Sequence, residues 1–219
     1  MNYNELLEKY GGIGLERQTS LGDVIGDKNW SADMVKGTLS FGSDIEFPVQ
    51  VIGTFAFDSE TWLWAWANSR SGLSEELLTD AKKLYNYGKE NDIEFLTTAE
   101  FEADQTNVHA IGIIASGLLG SSAYYCANYG EGIILFTIKS DKIDSVQFNE
   151  QLRILSTFPD LINIFTLNHK NAFRFYLLGK KYDLIEEDGK ITAKKAEKFI
   201  QASFDVLDRL TKLDGEIQQ

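Results

Sequence analysis

The sequence predicts an α+β fold in which an antiparallel sheet, a three-strand meander plus a later hairpin, packs against several helices. Three observations carry this. Stretches in which apolar residues alternate with period two cluster between residues 37 and 67 and recur at 123 to 139. Turn formers separate them at hairpin spacing, as at Gly42-Ser43-Asp44, Asp58-Ser59-Glu60 and Tyr129-Gly130-Glu131. Between and after them lie segments with apolar residues at helical spacing, most opened by a capping side chain.

Taken in order, Asn4 to Tyr10 reads as a short polar helix stopping at Gly11-Gly12. Gly11-Gly12-Ile13-Gly14 has glycines enough for a phosphate loop, but no strand precedes it, so it reads as a plain loop. Residues 15 to 34 are of mixed polarity and predict an irregular leader whose Trp30 tucks against the domain. Gly37 to Phe41 and Ile45 to Phe57 then alternate as strands. The pairing places Leu39, Phe41, Phe47, Val49 and Val51 on the same face as Phe55 and Phe57. Pro48 cannot donate a ladder hydrogen bond and belongs at an edge or bulge.

The third strand of the meander is Thr61 to Asn68, where large and small residues alternate. Trp62, Trp64 and Trp66 share one face, and Leu63, Ala65 and Ala67 the other. A hairpin centred on Ser59-Glu60 would set Phe57 against Trp62, Phe55 against Trp64 and Gly53 against Trp66. Two roles are open to this face. It is an aromatic core seam, or part of it lines a ligand groove in which Trp62, Trp64 and Trp66 form apolar walls and Asn68 supplies polar contacts.

Thr61-Trp62-Leu63-Trp64-Ala65-Trp66-Ala67-Asn68, preceded by Gly53-Thr54-Phe55, resembles the signature of a family of uncharacterised bacterial proteins known only as a domain of unknown function. Trp30-Ser31-Ala32-Asp33 and Gly37-Thr38-Leu39-Ser40-Phe41 extend the resemblance upstream. It implies no activity, substrate or catalytic residue.

Ser74 with Glu75 and Glu76 opens a helix carrying Leu77, Ala81, Leu84, Tyr85 and Gly88. Ile93 to Phe101 reads as extended, and Asp104 caps a largely buried helix over Gln105 to Leu119. Ala123 to Asn128 and Ile133 to Lys139 form a second hairpin, with Cys126 beside Ile134. Ser145 would cap a helix ended by Pro159, and Asn168 one stopping at Gly179. Asp188-Gly189 marks a two-residue hairpin. Residues 196 to 213 carry apolar side chains at helical spacing and predict a long amphipathic helix, followed by a frayed tail. The whole, 1 to 219, is expected to be a single α+β domain. The alternative division sets off 1 to 34 as the leader and 145 to 219 as a C-terminal helical and hairpin subdomain.

The longest apolar run, Ala110 to Gly120, is too short for a bilayer, which needs about 20 residues. One cysteine and no export signal fit a reducing cytoplasm. A net charge of −12 repels polyanions, so neither nucleic acid nor an anionic membrane is an expected partner. With two histidines and no Cys-x-x-Cys or His-Glu-x-x-His spacing, no metal or other cofactor is expected. Cys126, His109 and Asn128 have the residue types of a thiol hydrolase, but expected burial of the thiol argues for inertness. No catalytic residue is assigned, and a non-catalytic role is favoured over an enzyme. The expectation is a cytoplasmic protein- or peptide-binding domain, chaperone-like or immunity-like, with a partner protein or a second copy in a homodimer. The alternative is a small-molecule-binding domain or hydrolase with its pocket at the Trp62 to Trp66 strand.

Overall fold

The structure, a computed structural model, describes residues 1 to 215, so the expected frayed tail lies outside the described residues. They form seven helices and two antiparallel sheets, an α+β architecture. The chain divides into two compact units, one of residues 1–3 and 17–146, the other of residues 4–16 with those from Gln147 onward.

Both units draw on α1 (Tyr3–Ile25), which replaces the expected short helix, loop and most of the irregular leader. The glycines do not stop it, because close packing compensates their low helix propensity of about 1 kcal/mol each. A Cβ on Gly12 would stand 2.3 Å from Cγ of Tyr176, and one on Gly11 2.9 Å from Cδ1 of Leu161. Glycine is what lets this helix approach its neighbours.

The first unit holds a seven-stranded sheet: β1 (Trp30–Asp33), β2 (Thr38–Phe41), β3 (Ile45–Ala56), β4 (Thr61–Trp64), β5 (Glu100–Glu102), β6 (Ala123–Asn128) and β7 (Gly132–Ile138). Twelve residues long, β3 is its hub and pairs β2, β4 and β7. The meander and the later hairpin are thus one sheet, joined by β3 and β7. Pro48 lies one residue before the β7 ladder begins at Val49.

A bulge between Val51 and Gly53 changes the expected face assignment. One extra residue in a strand turns every later side chain over. Phe41, Phe47, Val49 and Val51 pack with Phe136 and Ile138 in one core. Beyond the bulge, Gly53 pairs with Trp64 and Leu135, and Phe55 with Trp62 and Ile133, so both belong to the opposite face. The hairpin register is also two residues from the expected one, because the loop is Phe57 to Glu60 with Glu60 left-handed (φ 50°). That shift keeps Trp62 and Trp64 on the face of Phe55. The sheet coils until Tyr125 of β6 meets Phe41 at 4.9 Å and Trp30 at 6.2 Å.

Helices α2 (Thr79–Glu90), α3 (Glu94–Thr97), α4 (Gln105–Leu119) and α5 (Asp141–Asp144) complete this unit. The stretch expected to be extended up to Phe101 contains α3, and only its end forms β5. The boundaries of α4 are those expected, with Asp104 and Asn107 forming a reciprocal capping box.

The second unit combines its part of α1 with α6 (Glu150–Ile164), α7 (His169–Gly179) and a four-stranded meander, β8 (Asp183–Glu187), β9 (Lys190–Lys195), β10 (Lys198–Phe204) and β11 (Leu210–Gly215). Helix α6 starts at Asn149, not Ser145, and runs through Pro159. The long helix expected over 196 to 213 is instead the hairpin of β10 and β11. Burial along β10 alternates, Ile200, Ala202 and Phe204 inward, and Ala196 and Asp208 turn the chain at φ 53° and 57°. Ile200 and Phe204, four residues apart, fit both periods, and the neighbouring hairpin edge selects the strand. Phe173 links the layers, 4.8 Å from Phe158 and 6.0 Å from Phe204.

Candidate functional site

Strand β4 ends at Trp64, earlier than the expected Asn68, and a series of turns follows. The amide of Asn68 donates to the carbonyl of Ala65 at 3.3 Å, and the carbonyl of Asn68 accepts from both N and Oγ of Ser71, at 3.2 and 2.9 Å. Ser and Asn favour such local turns. This winding brings Asn68 and Ser71 beside Ala65, on the sheet face that also carries Thr54 and its partner Ile134.

A cavity of about 240 Å³ lies there. Met34, Val51, Ala65, Leu73 and Ile134 give it apolar walls, and Thr54, Asn68 and Ser71 are its polar groups. Apolar walls with a few convergent hydrogen-bonding groups characterise ligand sites, although this volume is at the small end.

The four residues singled out in the sequence separate here. Trp62 and Trp64 are fully buried, with rings 5.4 Å apart, on the opposite sheet face, where Phe95 meets Trp64 at 5.5 Å. They are core. Trp66 is half-buried beyond the strand end and packs on Tyr85 at 4.4 Å. Asn68 alone of the four borders the cavity. The lining residues from distant segments, Met34 and Ile134, carry no local signal that sequence reading could have used.

The second hairpin brings together Cys126 and His109. Its register is one residue from the expected one, Cys126 opposite Leu135 and Ala127 opposite Ile134, which turns the cysteine towards α4. Sγ lies 3.7 Å from Nδ1 of His109, which is 3.2 Å from the hydroxyl of Tyr124. Cys126 is half-buried, not fully buried as expected, yet desolvation still pushes the thiol up to about 12 and lowers the imidazole. Neutral cysteine beside neutral histidine lacks the thiolate that attacks electrophiles. Asn128 is engaged elsewhere, accepting from the amide of Gly130 at 2.9 Å. Among the described residues no group of three or more His, Cys, Asp or Glu is placed to hold a metal ion. No described helix is long and apolar enough to cross a membrane.

Fold and cavity together define an α+β protein with an aromatic core and a small, apolar pocket beside it. The chain belongs to the family of unknown function DUF6882, whose model matches residues 4–140. That span covers the coiled sheet and every residue lining the cavity. Neither a curated protein nor a solved structure matches the chain.

Proposed function

We propose that the chain is a non-catalytic cytoplasmic binding domain for a protein or peptide partner, and that it seats one apolar side chain of that partner in the Asn68 cavity. The cavity at Asn68 carries this reading. Its walls suit an aliphatic or small aromatic group, since a dry cavity of about 150 Å³ already admits benzene. The Asn68 side chain offers both a donor and an acceptor, the pair that a peptide unit presents. A net charge of −12 favours a basic partner and opposes polyanions.

The test is chemical-shift mapping with N-acetyl-leucine amide, a one-residue mimic of such a partner. Shifts should centre on Asn68, Ala65 and Ile134 and vanish in Asn68→Trp, whose indole blocks the mouth. Shifts centred elsewhere, or unaffected by that variant, would refute the reading. A small metabolite is the second candidate occupant, since the cavity could hold one whole. Its sign would be a bound mass in native mass spectrometry of protein purified from its own host.

A further inference from the structure

Strands β6, β7, β3, β2 and β1 follow one another around the coiled sheet, and β6 and β1 end it without pairing to each other. Every step in that order is antiparallel, so β6 and β1 run in the same direction. Their side chains already meet, with the rings of Tyr125 and Trp30 6.2 Å apart. Helix α1 leads from the start of one strand to the start of the other: Arg17 donates to the Ser121 carbonyl at 2.8 Å, and the helix ends at Ile25, shortly before Trp30. Along the facing edges Trp30, Ala32, Tyr125 and Cys126 are only half-buried.

Both edges have backbone groups to spare. The bond from the Tyr129 amide to the Gly132 carbonyl, 3.1 Å long, fixes the phase of the ladder, so Ala123, Tyr125 and Ala127 bond to β7 while the N–H and C=O groups of Tyr124, Cys126 and Asn128 point away from it. The bond from the Gly42 amide to the Asn29 carbonyl, 2.9 Å long, sets β1 in the same way and turns those of Trp30 and Ala32 outward. Among the described residues these outward groups have no backbone partner. Edge strands are normally guarded by charge or proline. Here β5 carries Glu100 and Glu102, β8 Glu186 and Glu187, and β11 Lys212 and Asp214, but β6, Ala-Tyr-Tyr-Cys-Ala-Asn, has neither guard.

We infer that the partner of the binding reading above, on which this rests, is an extended peptide that adds as a strand between β6 and β1 and completes the coil. A strand antiparallel to β6 is antiparallel to β1 as well, so one segment pairs with both edges. Its inward side chains follow the pleat. The one beside Ala127 shares a face with Ile134, the β7 partner of Ala127, and with Met34, one residue beyond β1. Ile134 and Met34 are walls of the cavity, so an aliphatic side chain at this position is the group seated near Asn68. Two residues further on, the position beside Tyr125 is confined by the rings of Tyr125, Trp30 and Phe41 and takes a small residue. On the turns bordering the two strands Lys28 is paired with Asp44 and Lys36 with Asp33, which leaves Asp27 and Glu131 to meet basic residues at the ends of the peptide.

The test titrates the whole protein with the synthetic peptide acetyl-Lys-Thr-Leu-Thr-Ala-Thr-Lys-amide and follows amide exchange and chemical shifts. At saturation the amides of Trp30, Ala32, Tyr124, Cys126 and Asn128 should exchange at least about tenfold more slowly, as new ladder bonds protect them, and Asn68 should shift. N-methylation of the threonine between leucine and alanine, which lies opposite Cys126, removes one ladder donor and no side chain, and should weaken binding roughly tenfold or more. No binding, binding that leaves those amides exchanging as in the free protein, or binding that tolerates the N-methyl group overturns the inference. Protection of the same amides in the protein alone as its concentration rises overturns it too, because the added strand is then a second copy. In each of these cases N-acetyl-leucine amide decides the cavity reading separately: shifts centred on Asn68 keep the cavity as a side-chain site, and their absence removes both readings.

Discussion

The indole of Trp62 occupies the space that Gly53 leaves by having no side chain. A Cβ at position 53 would stand 2.3 Å from Cζ2 of Trp62 and 2.6 Å from the carbonyl oxygen of Leu63. The fully buried Trp62 can be accommodated in the core only because its neighbour on β3 is glycine. Backbone on one side and a locked ring on the other leave little room to relax. Gly53→Ala should therefore lower stability by about 1–3 kcal/mol or more, as overpacking does. Urea denaturation measures it, and an unchanged midpoint would mean that the sheet yields there.

The thiol of Cys126 should be slow to alkylate. Its folded pKa of about 12 exceeds the unfolded value of about 8.5, so its contribution to stability is complete below pH 8.5 and is lost as pH rises towards 12. Iodoacetamide at pH 8 should modify the protein far faster in denaturing urea than in buffer. Equal rates would show the thiol to be open and would revive the His109 pairing as chemistry.

Lys180 lies between two carboxylates in the second unit. Its Nζ donates to Glu16 at 2.7 Å and stands 3.6 Å from Glu150, and Tyr176 donates to Glu16 at 2.7 Å. With Lys180 and Glu16 only 12% and 8% exposed, Lys180→Met strands a buried charge and should cost about 3–5 kcal/mol. A thermal midpoint within experimental error of wild type would refute this.

Glu150 of the same network gives a pH dependence. Burial pulls its carboxyl upward, but hydrogen bonding to Lys195 and the charges of Lys180 and Lys195 prevail and hold it below the usual range. A depressed folded pKa contributes stability above the unfolded value of about 4.3, which is lost as pH falls through the lower folded value. Denaturant midpoints from pH 7 to pH 3 should fall more steeply in wild type than in Glu150→Gln. Parallel curves would assign the acid sensitivity elsewhere.

Pro159 stands inside α6 and offers no N–H to the preceding turn. Pro159→Ala should stabilise the protein by up to about 3 kcal/mol, the interior cost of proline, less what alanine adds to the freedom of the unfolded chain. A loss of stability instead would show that the ring packs indispensably.

Local chemistry made much of this fold legible. Asp104 and Asn168 mark the starts of α4 and α7, and Asp188-Gly189 the β8–β9 turn, because caps and two-residue turns are satisfied within a few residues of chain. Alternation located β3, β4, β6 and β7 for the same reason. The tryptophan-rich run at residues 61 to 68 also leads to the neighbourhood of the cavity, through Ala65 and Asn68.

What contacts between distant segments decide was not legible. Gly11 and Gly12 look like a helix stop until Leu161 and Tyr176 are seen filling the space they leave. Residues 198 to 204 suit either period until β9 supplies a ladder. The bulge at Ile52 reverses a face without any local signal, sending Phe55 to the tryptophans and leaving Val51 to the cavity. The α+β class, the caps and the aromatic strand could be read from the chain alone, since each follows from the intrinsic preferences of neighbouring residues. Tertiary structure decided which faces are core, where the cavity opens and which apolar side chains remain in water, because burial belongs to a side chain's whole surroundings.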